Sequence, residues 1–250
     1  MKLQGNIAIV TGGTKGIGYG IACALAAEGA RIVVVSRTAQ DCERVAAEIK
    51  DTYGVETLAL PTDVTETAQV EAMVQQTIER FSRIDILINN AGGAITKDAV
   101  DLTEEDWDKV LNLDLKSVFF CAQAVGKHMI EQGGGKIVNV ASVLGLVADK
   151  RVLPYCVSKA GVLHMTKALA LEWARHNVRV NAICPGYVVT DINRDELNDE
   201  KIKKALLSKF AIRRYAEVSE MTGAVVYMCS DESSYMTGQA MVIDGGWTCA

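Results

Sequence analysis

Several features that define common protein classes are scarce or missing in this chain of 250 residues. No apolar run approaches the roughly 20 residues that span a bilayer, and residues 1–5 precede the first apolar segment without the hydrophobic region of a signal peptide. We therefore expect no membrane partner and a cytoplasmic location. Positive charge is not in excess either, since 26 lysines and arginines against 31 aspartates and glutamates give a net charge of −5. This balance disfavours nucleic acids as partners.

Patterns for metal binding and disulfide formation are also missing. The seven cysteines are odd in number, scattered, and include no C-x-x-C pair, and none of the three histidines belongs to an H-E-x-x-H sequence. We predict reduced thiols and no metal site. The remaining composition, 49% hydrophobic and 23% charged, is sufficient for a substantial core and argues against disorder.

Strand-like and helix-like segments alternate along the chain. A continuous β-branched run such as 31–35 is typical of a strand buried on both faces of a parallel sheet. The pattern predicts strands at 7–10, 31–35, 56–60, 84–88, 136–141, 178–183 and 239–244. It predicts helices at 19–29, 38–50, 66–81 (opened by Thr65), 103–132 with room for a break, 153–176 and 217–230. Thr38 with Asp41, and Thr103 with Asp106, have the spacing of helix caps.

These elements predict an α/β fold. No linker rich in proline, glycine or serine divides the chain, so we expect one domain over 1–250. Its fold would be a Rossmann-type doubly wound parallel sheet of about seven strands, with helices on both faces.

One connection is unusually long. The polar stretch at 187–214, with helical character between 199 and 210, is typical of a lid or substrate-binding loop. Five of its side chains would either bind an anionic substrate or simply solvate the lid: Tyr187, Arg194, Phe210, Arg213 and Arg214.

A glycine-rich turn, Thr11-Gly12-Gly13-Thr14-Lys15-Gly16-Ile17-Gly18, follows the first predicted strand. Glycines let a backbone approach a pyrophosphate closely, and the N-terminus of the following helix offers unpaired N–H groups. The spacing is G-x3-G-x-G rather than the commoner G-x-G-x-x-G, and a glycine turn can also be a mere tight connection. No Lys-Ser/Thr pair follows the glycines, which excludes a Walker A loop.

Other strand ends carry residues that suit a ligand site. In an open parallel sheet, ligands bind outside the carboxyl ends of the strands. In addition to the glycine turn, the strand ends that carry such residues are Ser36-Arg37, Asn89-Asn90-Ala91-Gly92, Ser142 and Pro185-Gly186.

Tyr155 and Lys159 lie four residues apart in the helix predicted after Ser142. This spacing puts the phenol and the ammonium on one helix face, although such pairs are common on helix surfaces. A tyrosine has a pKa of about 10, and a neighbouring cation lowers it toward the range useful in acid–base catalysis.

These motifs, in this order, resemble the short-chain dehydrogenase/reductase family over essentially the whole chain. The resemblance implies that Tyr155 is the general acid or base for a carbonyl or alcohol oxygen, and that Ser142 hydrogen-bonds the same oxygen. It implies that Lys159 holds the nicotinamide ribose and lowers the Tyr155 pKa. Asn112 matches the helix asparagine that supports the lysine through ordered water.

The resemblance also implies a dinucleotide site. Asn90 to Gly92 would pass along a ribose, Asp63 and Val64 would flank the adenine, and the segment after the sixth strand would position the carboxamide. The expected cofactor-binding residues are Gly12, Thr14, Lys15, Gly16, Ile17, Gly18, Ser36, Arg37, Asp63, Val64, Asn90, Ala91, Gly92, Tyr155, Lys159, Pro185, Gly186, Val188 and Thr190.

Charge at the second strand end indicates the form of the cofactor. An acidic residue there would repel a 2′-phosphate, whereas this chain has Ser36 and Arg37, with Lys15 as a second cation. We therefore predict NADP(H) in preference to NAD(H).

The expected function is an NADP(H)-dependent oxidoreductase that interconverts a ketone or aldehyde with an alcohol. Similar subgroups are 3-oxoacyl-(acyl-carrier-protein) reductases, sugar-acid dehydrogenases related to gluconate 5-dehydrogenase, and carbonyl reductases. An acyl carrier would favour a basic patch, for which Arg175 and Lys136 are candidates, yet 131–133 offers no cation where such reductases usually have one. Two remote alternatives are a hydrolase using Ser142 and Lys159, which lacks a G-x-S-x-G elbow, and a non-catalytic nucleotide-binding protein.

The resemblance further suggests a homotetramer. The predicted interfaces are the helices around 104–131 and 153–176 and the last strand. Apolar residues occur on more than one side of these helices: Val118, Phe119, Phe120, Val125, Val162, Leu163, Met165 and Leu169.

Overall fold

The computed structural model describes residues 1–190 and 206–249. Seven strands in this part of the chain form one parallel sheet in the order β3-β2-β1-β4-β5-β6-β7, which confirms the predicted fold class. The strands are β1 (Ile7–Thr11), β2 (Arg31–Ser36), β3 (Thr57–Pro61), β4 (Ile86–Asn89), β5 (Gly135–Val140), β6 (Val178–Pro185) and β7 (Ala240–Ile243).

Helices connect these strands and cover both faces of the sheet. Seven α-helices are described: α1 (Gly16–Ala27), α2 (Ala39–Tyr53), α3 (Thr67–Phe81), α4 (Glu104–Leu111), α5 (Ser117–Glu131), α6 (Leu153–Trp173) and α7 (Ser219–Cys229). The strands and helices predicted outside 187–214 all occur, with ends that shift by a few residues, whereas most of the helical stretch predicted at 199–210 lies outside the described residues. The largest shifts are three residues, at the start of α1 (Gly16 rather than 19) and at the ends of α2 (Tyr53 rather than 50) and α6 (Trp173 rather than 176).

The alternation of side chains along the strands divides the core into two layers. In β1, Ala8 and Val10 pack on the side of α1, α2 and α7. Ile7 and Ile9 pack on the side of α3, α5 and α6. Because both faces of each central strand are buried, a continuous apolar run rather than an alternating one specifies these strands.

The predicted helix caps had different outcomes. Thr103 accepts a hydrogen bond from the Asp106 N–H while the Asp106 carboxylate accepts from the Thr103 N–H, which confirms that capping box. The cap predicted at Thr38 is wrong, because its side chain makes no cap hydrogen bond and Asp41 faces Lys15 and Arg44. Thr65 does not open α3 either, since its hydroxyl donates to Asp63 and the helix starts two residues later.

The long helix predicted at 103–132 contains a π-helical turn. Asn112–Lys116 form this wider turn between α4 and α5, within the stretch for which the sequence allowed a break without giving its position. Insertion of a residue into a helix rotates all later side chains and often occurs at functional sites.

The strand order fixes where a ligand can bind. β1 and β4 are neighbours, and the chain leaves them toward opposite faces of the sheet, so their carboxyl ends flank a crevice. Most of the lid predicted at 187–214, including Arg194, lies outside the described residues. Among the described residues, no helix combines the length and the apolar character that crossing a membrane requires.

Candidate active site

A cavity of about 640 Å³ opens at the carboxyl ends of β1, β4, β5 and β6. Its volume lies in the range of sites that take cofactors and substrates. The structure brings fourteen of the predicted site residues into its lining: Gly12, Lys15, Gly16, Ile17, Asn90, Ala91, Gly92, Ser142, Tyr155, Lys159, Pro185, Gly186, Val188 and Thr190.

The glycine turn forms one wall of this cavity. Gly12 and Gly16 have φ values of +63° and +53°, a backbone region that other residues rarely adopt. A Cβ on Gly18 would lie 2.3 Å from both the Asn90 side-chain nitrogen and the Gly12 carbonyl oxygen. The turn therefore requires glycine, and it directs the N–H groups at the start of α1 toward the cavity.

Thr11 connects the glycine turn with the end of β4. Its hydroxyl donates to the Ile88 carbonyl (3.2 Å) and accepts from the N–H groups of Asn90 (3.0 Å) and Ala91 (3.1 Å). The Asn90 amide in turn donates to the Thr11 and Gly12 carbonyls, at 3.0 and 3.2 Å. Sequence reasoning gave Thr11 no role, although a buried threonine at a strand end needs hydrogen-bond partners.

A second polar chain lies beneath the cavity. Asn89 donates from its side chain to the Asn139 oxygen at 3.0 Å, and Asn139 donates to the Thr166 hydroxyl at 2.9 Å. All three residues are buried. These bonds fix α6 relative to the ends of β4 and β5, and α6 carries Tyr155 and Lys159.

Lys159 is buried at the floor of the cavity with three neighbours. Its ammonium donates to the Val140 carbonyl at 3.1 Å, lies 5.3 Å from the centroid of the Tyr155 ring, and is 3.3 Å from Asp114 Oδ2. Tyr155 is half-buried and lines the cavity. The structure therefore places the phenol and the ammonium together, as the i, i+4 spacing predicts.

The position predicted for Asn112 is not the one that reaches Lys159. Asn112 is exposed at the first residue of the π turn, whereas Asp114, two residues later, is fully buried against Lys159. Burial raises the pKa of the Asp114 carboxyl, and the Lys159 charge opposes that rise. Sequence reasoning missed Asp114, which is a charged residue between Leu113 and Leu115 and so signals a buried partner.

Ser142 follows β5 and begins a short 3-10 turn. Its hydroxyl oxygen accepts a hydrogen bond from the Leu144 N–H at 3.1 Å, which orients the side chain, and the residue lines the cavity. Behind it, a Cβ on Gly145 would lie 2.8 Å from the Lys159 backbone carbonyl. The turn therefore packs closely on α6, and Ser142 and Tyr155 share one cavity wall.

Five other predicted residues lie apart from this cavity lining. Thr14 and Gly18 are buried within the turn, Val64 is buried after β3, and Ser36 and Arg37 end β2. The Ser36 hydroxyl lies 3.1 Å from the Cys42 sulfur, while Arg37 is exposed.

Asp63 also lies outside the cavity lining, and its carboxyl is close enough to Arg37 to be affected by the arginine charge. A hydrogen bond from Thr65 and the nearby charge of Arg37 lower the pKa of the Asp63 carboxyl, although partial burial opposes them. Arg37 and Asp63 therefore lie near one another at the β2–β3 end of the site. Lys15 is 3.8 Å from Asp41.

The segment after β6 forms the remaining wall. A Cβ on Gly186 would lie 2.8 Å from Asp244 Cα, so this close approach requires glycine. Val188 is buried, and Thr190 lies beside the position that a Gly16 Cβ would occupy, at 3.2 Å. Across residues 1–190 and 206–249, no cluster of three or more His, Cys, Asp or Glu side chains could hold a metal ion.

Comparison with known proteins shows the family. Residues 12–248 match the family described as enoyl-(acyl carrier protein) reductase. The 2-dehydro-3-deoxy-D-gluconate 5-dehydrogenase of Escherichia coli K12 is 40% identical over 98% of this chain and 96% of its own length. The 3-oxoacyl-(acyl-carrier-protein) reductase FabG of Thermotoga maritima is 39% identical over 98% of this chain and 99% of its own. The chain belongs to the short-chain dehydrogenase/reductase family.

A solved structure agrees with this assignment. The gluconate 5-dehydrogenase of Burkholderia cenocepacia J2315, described as a complex with NADP and tartrate, superimposes with a TM-score of 0.96. It is 35% identical, and the match covers 100% of this chain and 97% of the other. As a short-chain dehydrogenase/reductase, the protein is an oxidoreductase that acts on CH–OH groups.

Members of the short-chain dehydrogenase/reductase family bind a nicotinamide cofactor, and the cavity fits one. The glycine turn has no Cβ at Gly18, where one would clash with Asn90 and the Gly12 carbonyl. The N-terminus of α1 supplies N–H groups for a pyrophosphate, and Lys159 supplies a buried cation. The glycine turn, the helix N-terminus and Lys159 were each predicted from the sequence as parts of such a site, whereas the burial of Lys159 was not.

Sequence reasoning also missed an aromatic cluster beside the cavity of this short-chain dehydrogenase/reductase. Trp247 stacks on Tyr187 with ring centroids 5.6 Å apart, and it meets Phe210 edge-on at 5.5 Å. Lys209 lies 4.9 Å from the centroid of the Trp247 ring and donates to Asp149 at 2.6 Å. The cluster joins the end of the predicted lid to the C-terminal segment.

Proposed function

We propose that this protein is an NADP(H)-dependent oxidoreductase that interconverts a ketone or aldehyde with an alcohol, with Tyr155 as the general acid or base. The observation that carries the proposal is the juxtaposition of Tyr155, Lys159 and Ser142 on one cavity that also contains the glycine turn. We also propose that the chain acts as one cofactor-binding and catalytic domain, with 187–214 as its substrate loop.

Each of these side chains has a distinct task in the proposed reaction. The bound cofactor would donate or accept the hydride. Tyr155 would transfer a proton at its phenolic oxygen to or from the substrate oxygen, and Ser142 would hydrogen-bond the same oxygen. The Lys159 ammonium, 5.3 Å from the Tyr155 ring, would favour the phenolate by its charge and would bind the ribose of the cofactor.

The proposed preference for NADP(H) rests on charge at the end of β2. Ser36 and Arg37 stand where an acidic side chain would select NAD(H), and Arg37 is exposed and therefore accessible to a 2′-phosphate. Lys15, in the glycine turn, is a second exposed cation, although Asp41 is 3.8 Å from it. The complex of the Burkholderia relative with NADP supports this choice.

A sugar acid is the proposed substrate class. The names of the Escherichia and Burkholderia relatives indicate a keto sugar acid and a sugar acid, respectively, and the polar segment 187–214 carries arginines that would suit a carboxylate. Arg214, however, is already paired with Glu220 at 2.7 Å, which leaves the exposed Arg213 as the better candidate among the described residues.

An acyl-carrier substrate is a weaker alternative. The two cations considered for it lie at the amino ends of the strands, away from the cavity at the carboxyl ends: Lys136 is near the start of β5 and Arg175 is just before β6. Lys136 is also paired with Asp231 at 3.2 Å. An acidic carrier protein delivering a substrate to the cavity would not meet either cation.

A Ser–Lys hydrolase is disfavoured by the environment of Lys159. A lysine that acts as a general base must lose its proton, whereas the Lys159 nitrogen faces the Asp114 carboxylate and donates to the Val140 carbonyl. Both contacts stabilise the charged ammonium.

The test of the proposed function is an assay of the purified protein against a panel of substrates. The assay combines NADPH with keto sugar acids, ketoacyl thioesters or simple ketones, and NADP with the corresponding alcohols. The change in cofactor absorbance measures turnover. We expect turnover with the sugar acids and faster turnover with NADP(H) than with NAD(H). Turnover confined to ketoacyl thioesters would overturn the substrate class, and absence of turnover with every carbonyl would overturn the reaction.

We further propose a homotetramer. Most of the apolar residues that the sequence suggested for its interfaces are buried within the chain, among them Val118, Val125 and Leu169. The exposed apolar side chains on α6, Leu153, Val157 and Leu171, support the proposal instead. Size-exclusion chromatography with light scattering would give four times the chain mass of 26.9 kDa, and a monomer mass would contradict the proposal.

The cytoplasm is the proposed location. All seven cysteines are free thiols, and four of them, Cys42, Cys121, Cys184 and Cys229, are buried. A reducing compartment preserves such thiols. Fractionation of the source cells would detect the protein with the cytoplasmic enzymes.

A further inference from the structure

Asp114 is a fully buried carboxylate that the proposed reaction does not use. It lies on the π turn, with none of its surface exposed. Its Oδ1 accepts a hydrogen bond from the Gly93 N–H at 2.8 Å, and its Oδ2 lies 3.3 Å from the Lys159 ammonium. Oδ2 has no hydrogen-bond partner among the described residues, so the ammonium acts as its countercharge.

The packing around this pair leaves little freedom. A Cβ on Gly92 would lie 3.1 Å from Asp114 Oδ2 and 3.4 Å from the Lys159 nitrogen. The backbone of Gly92 and Gly93 therefore packs closely against Asp114, while Lys159 still lines the cavity. A buried charge is costly unless it is paired, so each member of the pair keeps the other in place.

The other titratable groups near the pair do not compete with Asp114. On α6 the neighbour is Tyr155. On β6 the neighbour is Cys184. Burial, with a smaller effect of Asp244, raises the pKa of the Cys184 thiol to about 11, so this thiol is neutral. The loop after β4 contributes glycine backbone, and the end of β5 contributes the Val140 carbonyl and Ser142. Asp114 is the one carboxylate within ion-pair distance of Lys159 in the described part of the chain.

We propose that Asp114 is a positioning residue that acts through Lys159, holding the ammonium at the floor of the cavity and offsetting part of the positive charge presented to Tyr155. This inference rests on the proposed role of Tyr155 as the acid or base. An uncharged amide of the same shape at this position would add no charge beside the lysine, whereas Asp114 adds a negative one. The difference in charge makes the inference testable.

The sign of the effect follows from the charges. With Asp114 ionised, the pair with Lys159 is neutral overall, and the lysine favours the Tyr155 phenolate less than an isolated ammonium would. Asp114→Asn removes the negative charge with little change of shape, so it favours the phenolate and lowers the pKa of Tyr155. Oxidation of an alcohol needs the phenolate as base and would therefore extend to lower pH in the variant.

The experiment compares the pH dependence of kcat/KM for alcohol oxidation in the wild type, Asp114→Asn and Asp108→Asn. Asp108 is exposed on α4, so Asp108→Asn is the matched control with the same chemical change. We expect the acidic limb of the kcat/KM profile to move to lower pH by about one unit in Asp114→Asn. A single charge several ångströms away has an effect of this size at an effective dielectric constant of about 20. The limb of the control should coincide with that of the wild type.

A second measurement does not depend on turnover. The near-ultraviolet absorbance of each protein is measured as a function of pH, and that of the same protein with Tyr155→Phe is subtracted. The difference follows the ionisation of Tyr155 alone. The midpoint should move down in Asp114→Asn by the same amount as the kinetic limb. If Asp114→Asn does not fold, as judged by circular dichroism, Asp114→Ser carries the same test, because it also removes the charge and leaves more room.

The outcomes separate the two proposals. A midpoint that stays in place or rises when the charge is removed would overturn the role of Asp114, and so would a loss of rate that is equal at every pH. Turnover retained by Tyr155→Phe would overturn the proposed function instead. If Tyr155→Phe is inactive while the phenolate midpoint does not move, only the role of Asp114 fails.

Discussion

Lys159 lies one helical turn beyond Tyr155 on α6, with its ammonium 5.3 Å from the centroid of the tyrosine ring. This separation allows the charge to act on the phenol, while the bond to the Val140 carbonyl keeps the ammonium at the cavity floor. The relationship depends on two residues four apart in one helix, so it survives movement of the surrounding loops.

Replacing Tyr155 by phenylalanine should abolish turnover while leaving cofactor binding nearly intact. The phenol supplies a proton transfer, which typically contributes about 10²–10⁴-fold in rate, whereas the ring itself remains. Steady-state kinetics and a fluorescence titration with NADPH measure the two effects. Tyr235→Phe is the matched control, because Tyr235 is fully exposed, and its kinetics should match those of the wild type.

Replacing Lys159 by methionine should destabilise the protein as well as inactivate it. The change leaves the Asp114 carboxylate buried without its countercharge, which costs about 3–5 kcal/mol when a buried pair is broken. Urea unfolding would measure this loss, and Lys50→Met, at an exposed position on α2, should change the free energy of unfolding by less than about 0.5 kcal/mol.

The stability of the Lys159→Met variant should also depend on pH. Burial raises the pKa of Asp114 in the folded state, and the variant lacks the charge that opposes this rise. The folded protein then holds a proton that the unfolded chain releases above about pH 4, so the free energy of unfolding falls as pH rises from there toward the folded-state pKa. The deficit relative to the wild type should be larger at about pH 8 than at about pH 5, and an equal deficit would contradict a buried unpaired carboxyl.

An Arg37→Asp substitution should reverse the cofactor preference. The new carboxylate repels a 2′-phosphate and accepts a hydrogen bond from a 2′-hydroxyl, so NADPH affinity should fall by roughly tenfold or more while NADH affinity rises. Fluorescence titrations with both cofactors measure the ratio. Lys50→Asp makes a similar charge change at the far end of α2 and should leave the ratio unchanged. Equal or tighter binding of NADH by the wild type would refute the assignment of NADP(H).

Adding a methyl group at Gly18 should damage the cofactor site. Its Cβ would lie 2.3 Å from the Asn90 side-chain nitrogen and the Gly12 carbonyl, so the turn must shift, at a cost of about 1–3 kcal/mol and most of the cofactor affinity. Gly223→Ala is the matched control, since no atom lies within 4 Å of its added Cβ on α7, and helix propensity should stabilise it by about 0.5–1 kcal/mol. Thermal unfolding and NADPH titration distinguish the two variants.

The parts of the fold that follow from local pattern were predictable from the sequence. β1 and β2 are continuous apolar runs, and strands of this kind need burial on both faces, which only a covered parallel sheet provides. The ends of helices were less predictable. Thr38 and Thr103 have the same spacing to an aspartate, yet only Thr103 forms a cap, because Asp41 interacts with two neighbouring cations.

The site was predictable where its residues belong to contiguous motifs. The glycine turn, Ser142, Tyr155 and Lys159 all reach one cavity, as their positions after strands require. Asn112 was assigned from the family resemblance, and a helical pattern with 3.6 residues per turn does not reveal the π turn that begins at this residue. The wider turn brings Asp114, rather than Asn112, toward Lys159. Such a rotation depends on tertiary packing and leaves no periodic signal.

Gly92 gives the site an epistatic constraint. The space that its missing Cβ leaves is bounded by the carboxylate of Asp114 and by the ammonium of Lys159, at 3.1 and 3.4 Å. A larger side chain at 92 would therefore be tolerated only together with a shorter one at 114, and a shorter one at 114 would leave the lysine without its countercharge. Changes at the three positions are therefore coupled, so libraries that enlarge this cavity should vary them jointly rather than one at a time.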